Sequence, residues 1–439
     1  MHRSRRAWAA VLAAMALGAA ACGGGDDDGG DSGAAGGGGR LAGQRIEVAA
    51  TWSGDEQARF TQVLDAFEDR TGATVQFTST GDDIATVLGT RLAGGSPPDV
   101  ALLPQPGLLS DLAGRNALKP IEDVAGAAVD ENYAPVWRQL GSVGGTLYGV
   151  WFKAANKSTF WYDTAAFEAA GVEPPEDWEG LKSVAGTVAD SGLTPFSVGG
   201  ADGWTLTDWF ENVYLRVAGA EKYDQLAAHE IAWTDPTVTA ALTTLAEVFG
   251  QAQWIAGGPQ GALGVDFPRS VTQVFGDQPA AAMVYEGDFV AGQITGETNA
   301  TLGDDARFFD FPSIDGSDPA VVGGGDVAVL LTDNPAAQEL IRFLATPEAA
   351  EAWAREGGFT SPNQSLDLDV YPDDTTRRSA EALTQAEVFR FDLSDLQPAA
   401  FGGTPGQGMW KILQDFLANT GDVEGTARQL EAARAAAGA

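Results

Sequence analysis

Between Ile46 and Leu103 the chain switches repeatedly between two hydrophobic periods, and this switching restricts its fold more than any other feature. Ile46, Val48, Ala50 and Trp52 alternate along a segment that ends at Ser53-Gly54, which predicts a strand and a turn. Phe60, Val63, Leu64 and Phe67 then recur at helical spacing, with Asp55 and Glu56 placed to favour the first turn and Gly72 placed to end it. Val75 and Phe77 mark a second strand. Ile84, Val87, Leu88 and Leu92 mark a second helix, which stops before GGSPP, and Asp99 to Leu103 reads as a third strand. This order predicts parallel βαβ units in an open α/β lobe.

In such sheets ligands gather beyond the carboxyl ends of the strands. Here that means the loops Trp52 to Glu56, Thr78 to Asp83 and Pro104 to Gly107. Trp52 can stack on an apolar ring face, Asp55, Glu56 and Asp82 can accept hydrogen bonds, and Gln105 can both donate and accept. Asp55 and Glu56 equally suit a helix start and Trp52 a core position, so both roles stay open.

The N-terminus places Arg3, Arg5 and Arg6 before an uncharged, largely apolar run from Ala7 to Ala21 that leads into Cys22. This is the pattern of a secretion signal, and the run falls short of the ~20 residues that span a bilayer. The chain has one cysteine, so no internal disulfide explains Cys22. The segment resembles a bacterial lipoprotein signal, with Ala19 where a leucine is usual. The resemblance implies that Cys22 is lipidated and becomes the mature N-terminus. Residues 22–44 are rich in Gly and Asp and read as a flexible tether. Asp26, Asp27 and Asp28 lack the spaced ligands of a calcium loop and read as a solvated charge run. The expected location is outside the cell, lipid-anchored to the outer face of the cytoplasmic membrane.

The remaining chain exceeds the size at which one core stops growing, which predicts two lobes. The formal charge of the full sequence, −35 from 26 basic and 61 acidic residues, becomes more negative when the three signal arginines leave, and it opposes binding to nucleic acid and to anionic headgroups. Only His2 and His229 occur, and the first leaves with the signal. Most His-dependent triads and His-rich metal sites are thereby excluded, and no G-x-S-x-G, HExxH or P-loop pattern is present. No metal and no cofactor is expected. A secreted glycoside hydrolase working through paired carboxylates is the alternative that composition leaves open.

Farther along, Trp204 and Asp208 lie four apart in GWTLTDWFENVYLR, so an indole and a carboxylate share a helix face. Glu286 and Asp288 follow a short apolar strand in VYEGDF, and Trp410 follows the Gly-rich stretch FGGTPGQGM. All are candidate ligand contacts. Trp161, Tyr162, Trp178, Trp209 and Trp353 read as core.

The segment LYGVWFKAANKSTFWYDTAAFEAAG, taken with WSGDEQARF, GGSPPDVALLPQPG, GWTLTDWFENVYLR, AAMVYEGDF, GGGDVAV and GGFTSPN, resembles the extracellular sugar-binding proteins of ABC importers, particularly the α-glucoside type. The similarity runs over nearly all of residues 45–439. It implies an α/β two-lobed periplasmic-binding-protein-like clamp with discontinuous lobes, 45–152 with 326–358 and 153–325 with 359–439, after a signal at 1–21 and the tether. Tyr148 to Lys157, Val321 to Val327 and Gly357 to Pro362 resemble the three crossings between lobes. Lys153 and Asp326 then fall at the cleft as candidate ligand contacts, with Lys153 equally suited to an inter-lobe salt bridge, and the glycines of GGGD and GGF suit a hinge or ordinary strand-end turns. The implied partners are an oligosaccharide or glucoside ligand and the permease subunits of the importer, with the clamp itself expected to be a monomer.

Overall fold

The computed structural model describes residues 40–438. The expected signal, Cys22 and nearly all of the tether lie outside the described residues. No helix among the described residues is long and apolar enough to cross a membrane.

The first sheet has six strands. The predicted trio is there: Arg45–Ala50 pairs in parallel with Thr74–Ser79 on one side and Val100–Leu103 on the other, joined by the helices Gly54–Thr71 and Ile84–Ala93. Ile46, Val48, Ala50 and Trp52 are buried as the alternation requires, but Ala49 is buried too, because helices cover both faces of a parallel sheet. Gly72 ends the first helix at φ 75°, and its N–H bonds to Glu68 O. Glycine takes this left-handed geometry without a Cβ clash.

The sheet continues with Val321–Leu330, antiparallel to Val100–Leu103, and this long strand pairs in turn with Gly149–Asn156 and Phe389–Phe391. The second sheet has the order Ala306–Asp310, Thr159–Asp163, Met283–Glu286, Phe196–Ser197. Gly149–Asn156 leads directly into it through Lys157 and Ser158. One core packs on the first sheet, and two contiguous clusters pack on the second. Trp161, Tyr162, Trp178, Trp209 and Trp353 are all buried, as expected of core residues.

Two long strands thus run side by side from one lobe to the other. They pair Gly323 with Asn156, Gly324 with Ala155, Gly325 with Ala154 and Asp326 with Lys153, and a bulge then leaves Phe152 unpaired. The glycines of GGGD do not take left-handed backbone angles here. They make room instead: a Cβ on Gly325 would lie 2.3 Å from Lys153 O, and one on Gly323 would lie 2.2 Å from the Phe389 ring. Gly357 and Gly358, by contrast, have φ of 74° and 62°. Residues after them, including Phe359, Tyr371, Leu383 and Phe391, join the first core, whereas Leu393 joins the second. Leu396 and Ala399 still pack on the first core and Phe401 on the second, so core membership changes between Phe391 and Phe401, later than the crossing expected at Gly357 to Pro362.

The lobes also meet at the rim. From helix Gly54–Thr71, Arg59 donates to Gly357 O at 2.7 Å and to Thr295 Oγ1 at 2.9 Å on helix Val290–Glu297. A Cβ on Gly296 of that second helix would lie 1.2 Å from Asp55 Oδ2.

Candidate ligand-binding cleft

A cleft of about 380 Å³ lies where the two lobes face each other. The carboxyl ends of the parallel strands supply one wall: Trp52 and Glu56 after the first, Asp82 after the second and Gln105 after the third. Lys153, Ala155 and Lys157 form the floor, beside Gly325 and Asp326. Their spacing of two is that of side chains on one face of an extended chain, and the small Ala155 leaves space between the ammonium groups. The second lobe contributes Trp204, Phe267, Phe289 and Trp410 with the polar Asp202, Asp266, Gln293 and Asp395.

Local packing fixes the tryptophans. Trp52 meets Phe60 and Trp353 edge-on at 4.8 and 4.9 Å between ring centroids, so it is core and cleft wall at once. Trp204 opens helix Trp204–Ala227 and packs on Phe267 at 5.4 Å and Phe289 at 6.0 Å. Gly203 before it has φ 85°, and a Cβ there would lie 2.7 Å from Trp410 Cβ, so glycine is required both for the turn and for the indole behind it.

Lys153 is 4% exposed. Its ammonium bonds to Glu56 Oε1 at 2.5 Å and lies 5.6 Å from the ring centres of both Trp52 and Phe289. Burial alone would lower its pKa, but Glu56, Asp326 and Asp288 outweigh burial and raise it. Burial pushes the neighbouring Asp326 carboxyl up to about 6, against the pull of Lys153.

Lys157 anchors a deeper network. Its ammonium bonds to Asp208 Oδ1 at 3.1 Å and to Asp392 Oδ2 at 2.5 Å, and lies 5.5 Å from the Trp204 ring centre. Glu211 accepts from the backbone N–H groups of Leu393 and Ser394 at 2.6 and 2.9 Å. Asp208, Glu211, Glu286 and Asp395 all have carboxyl pKa values raised well above the ordinary range, by burial first and by their carboxylate neighbours second. Asp392 is the exception. Burial opposes its charge, yet Lys157 and hydrogen bonds from Glu211 and Asp208 hold it below the usual range. Lys157 and Asp392 are thus the pair whose charge the network favours, while burial opposes charge on the surrounding carboxyls. Oxygens of Asp208, Glu211 and Asp392 lie within 4.8 Å of one another, a spacing a metal could use. The Lys157 ammonium, however, already bridges two of the three and fills the cation's place.

At the mouth, Asp82 touches solvent but is walled by protein. Removal from bulk water, with Asp202 and Asp83 nearby, raises it to about 7. Asp202, whose Oδ2 accepts from Phe267 N–H at 2.6 Å, is raised by burial to about 6.

Of the residues singled out in the sequence, Trp52, Glu56, Asp82, Gln105, Lys153, Trp204, Asp326 and Trp410 line this cleft. Asp55, Asp208, Glu286 and Asp288 do not. Asp55 faces Gly296 at the rim. Asp208 turns inward from the helix that carries Trp204 and, with Glu286, lies under the floor. Asp288 is buried and accepts from Thr360 Oγ1 at 2.6 Å. Sequence reasoning missed Lys157, Asp202, Asp266, Phe267, Phe289, Gln293, Asp392 and Asp395. Lys157 was findable, since it follows Lys153 by four on an extended strand. The acidic run FDLSDL gave no periodic signal.

Aromatic faces with carboxylates and amides between them can stack on apolar ring faces while bonding a rim of hydroxyls. The chain matches the model of the bacterial extracellular solute-binding protein family over residues 51–351. It is 34% identical over 390 residues to the osmoprotective compounds-binding protein GgtB of Synechocystis sp., covering 87% of this chain and 90% of the relative. It is also 34% identical over 392 residues to the alpha-glucosides-binding periplasmic protein AglE of Rhizobium meliloti, covering 86% and 84%. Among solved structures, the bacterial solute receptor AcbH superposes with a TM-score of 0.77 at 20% identity, over 89% of this chain and 98% of that one. With the family model, two relatives and a shared two-lobed fold in agreement, the chain belongs to the bacterial extracellular solute-binding proteins.

Proposed function

We propose that this protein captures a carbohydrate, an oligosaccharide or an α-glucoside, between its lobes and delivers it to the permease of an ABC importer. The observation that carries this reading is the cleft's composition: Trp52, Trp204 and Trp410 on facing walls, carboxylates and amides between them, and both lysines already paired with carboxylates. AglE is named for α-glucosides and GgtB for osmoprotective compounds, which favours a small glycoside. We assign ligand contact to Trp52, Glu56, Asp82, Gln105, Lys153, Trp204, Asp326 and Trp410. Asp208, Glu286 and Asp288 hold the floor and hinge in place, and Asp55 sits at the rim.

The same reading makes the protein a carrier that leaves its ligand chemically unchanged. It acts as a monomer, lipid-anchored through Cys22 outside the cytoplasmic membrane, with lobes divided at the strand crossings near Lys153 and Asp326 and again between Phe391 and Phe401. The test is to incubate the protein with maltose, trehalose, sucrose and maltotriose while following binding by calorimetry and sugar integrity by chromatography. Saturable binding of intact sugar supports the reading. Hydrolysis, or no binding across the panel, refutes it.

A further inference from the structure

Native proteins leave few buried polar atoms without a hydrogen-bond partner, and three such atoms lie in the wall of this cleft. They are Gln105 Oε1, Gln293 Oε1 and Trp410 Nε1. Their residues are 4%, 6% and 5% exposed, too enclosed for bulk water to satisfy them freely. Indole N–H groups of Trp151, Trp233 and Trp353 also lack partners, but their residues are absent from the cleft lining and pack in the cores. The unpartnered oxygens of Asp208 and Glu286 belong to the buried carboxyl network beneath the floor and do not line the cleft.

The three cleft atoms come from separate elements. Gln105 precedes helix Pro106–Gly114 in the first lobe, Gln293 lies in helix Val290–Glu297, and Trp410 lies in helix Gly408–Ala418. Their polarities also differ: the two amide oxygens need donors and the indole N–H needs an acceptor. A hydroxyl supplies either. A carboxylate or phosphate in full anionic form supplies only acceptors, and an alkylated hydroxyl loses its donor.

We infer that Gln293, a residue with no assigned role, binds the ligand directly together with Gln105 and Trp410, and that the three select a saccharide with free hydroxyls over an anionic or O-alkylated one. This rests on the carbohydrate reading above and adds to it a donor and acceptor pattern. Gln293 is the informative position because the other two are held by packing. A Cβ on Gly403 would lie 1.5 Å from Gln105 Nε2, and Trp410 backs onto Gly203. Gln293 also follows Gly292, whose carbonyl accepts from Arg59 of the first lobe at 3.4 Å, so a ligand bond to Gln293 bears on the helix that meets the opposite lobe.

A ligand-binding amide left unpaired in the empty protein makes the site costlier to fold than a core would be. Replacing it by an apolar group of similar size therefore lowers affinity without lowering the stability of the empty protein, whereas a structural role predicts the reverse. The experiment measures sugar affinity and ligand-free Tm for the wild type, Gln293→Leu and Gln293→Glu, using the best ligand from maltose, trehalose, sucrose and maltotriose and its O-methylated form. The expected result is at least a tenfold loss of affinity in Gln293→Leu with an equal or higher Tm. Gln293→Glu, which restores an acceptor, should recover part of the loss, and the O-methylated sugar should bind the wild type poorly. Affinity within twofold of wild type in Gln293→Leu, or a loss accompanied by a fall in ligand-free Tm, overturns the assignment while sugar binding stands. Absence of sugar binding in the wild type overturns both.

Discussion

Replacing Lys157 by Met removes the one ammonium of the buried network while nearly preserving side-chain length. Asp208 and Asp392, its partners, have side chains that are 0% and 1% exposed, so neither can turn to water. Breaking such a pair by removing one member costs about 3–5 kcal/mol, because the stranded charge stays buried. For about 400 ordered residues the unfolding entropy is on the order of 0.8 kcal/mol per kelvin, so Tm should fall by about 4–6 °C at pH 8. The sign of the pH dependence follows from Asp392. In the wild type its depressed pKa contributes stability present above the unfolded value and lost as pH falls through the folded one. Without Lys157 the carboxyl is unsupported and takes up a proton in mild acid, so the variant's deficit should shrink by pH 5.5. Calorimetric unfolding of both proteins at the two pH values tests this. A deficit that is equal at both, or absent at pH 8, refutes the ion pair as the charged centre of the network.

The other expectations are more direct. Glu286, whose raised pKa gives stability that is complete below its unfolded value and lost as pH rises through the folded one, becomes permanently neutral in Glu286→Gln. That variant should lose stability less steeply than wild type on going from pH 6 to pH 8, by up to about 1.4 kcal/mol per pH unit, in denaturant titrations; parallel curves count against it. Trp204→Ala should weaken sugar binding by about 1–3 kcal/mol in calorimetry while Tm changes little, and a collapsed Tm with intact affinity makes Trp204 a core residue instead. Cys22→Ser should move the protein from the membrane fraction into the medium or leave uncleaved precursor, so unchanged mature membrane-bound protein contradicts the anchor. A saturating sugar should shorten the interlobe distance seen by paired spin labels or X-ray scattering, and an unchanged distribution rules out the clamp motion.

The first lobe was legible in the sequence because its order is local. Ile46 to Leu103 contains three strands and two helices whose periods are set by neighbours a few residues away, and all five form as expected. The cleft was legible only where it borrows from that order. Trp52, Glu56, Asp82 and Gln105 were found because strand ends predict loop positions. Asp208 was misplaced because sharing a helix face with Trp204 does not say which partner waits there. Its partners, Lys157 and Asp392, stand 51 and 184 positions away in the chain, by subtraction of residue numbers, and no local period links them. The GGGD glycines illustrate the same limit. Their composition pointed to backbone freedom, but the contact that demands them is a neighbouring strand's carbonyl at Gly325.

The bare α-carbon of Gly296 leaves room at the rim for Asp55 of the opposite lobe. A methyl there would begin 1.2 Å from Asp55 Oδ2, so even the smallest side chain would push the Asp55 carboxylate out of its place at the rim. A substitution at Gly296 would therefore alter how the lobes meet at the rim while leaving every residue that lines the cleft in place.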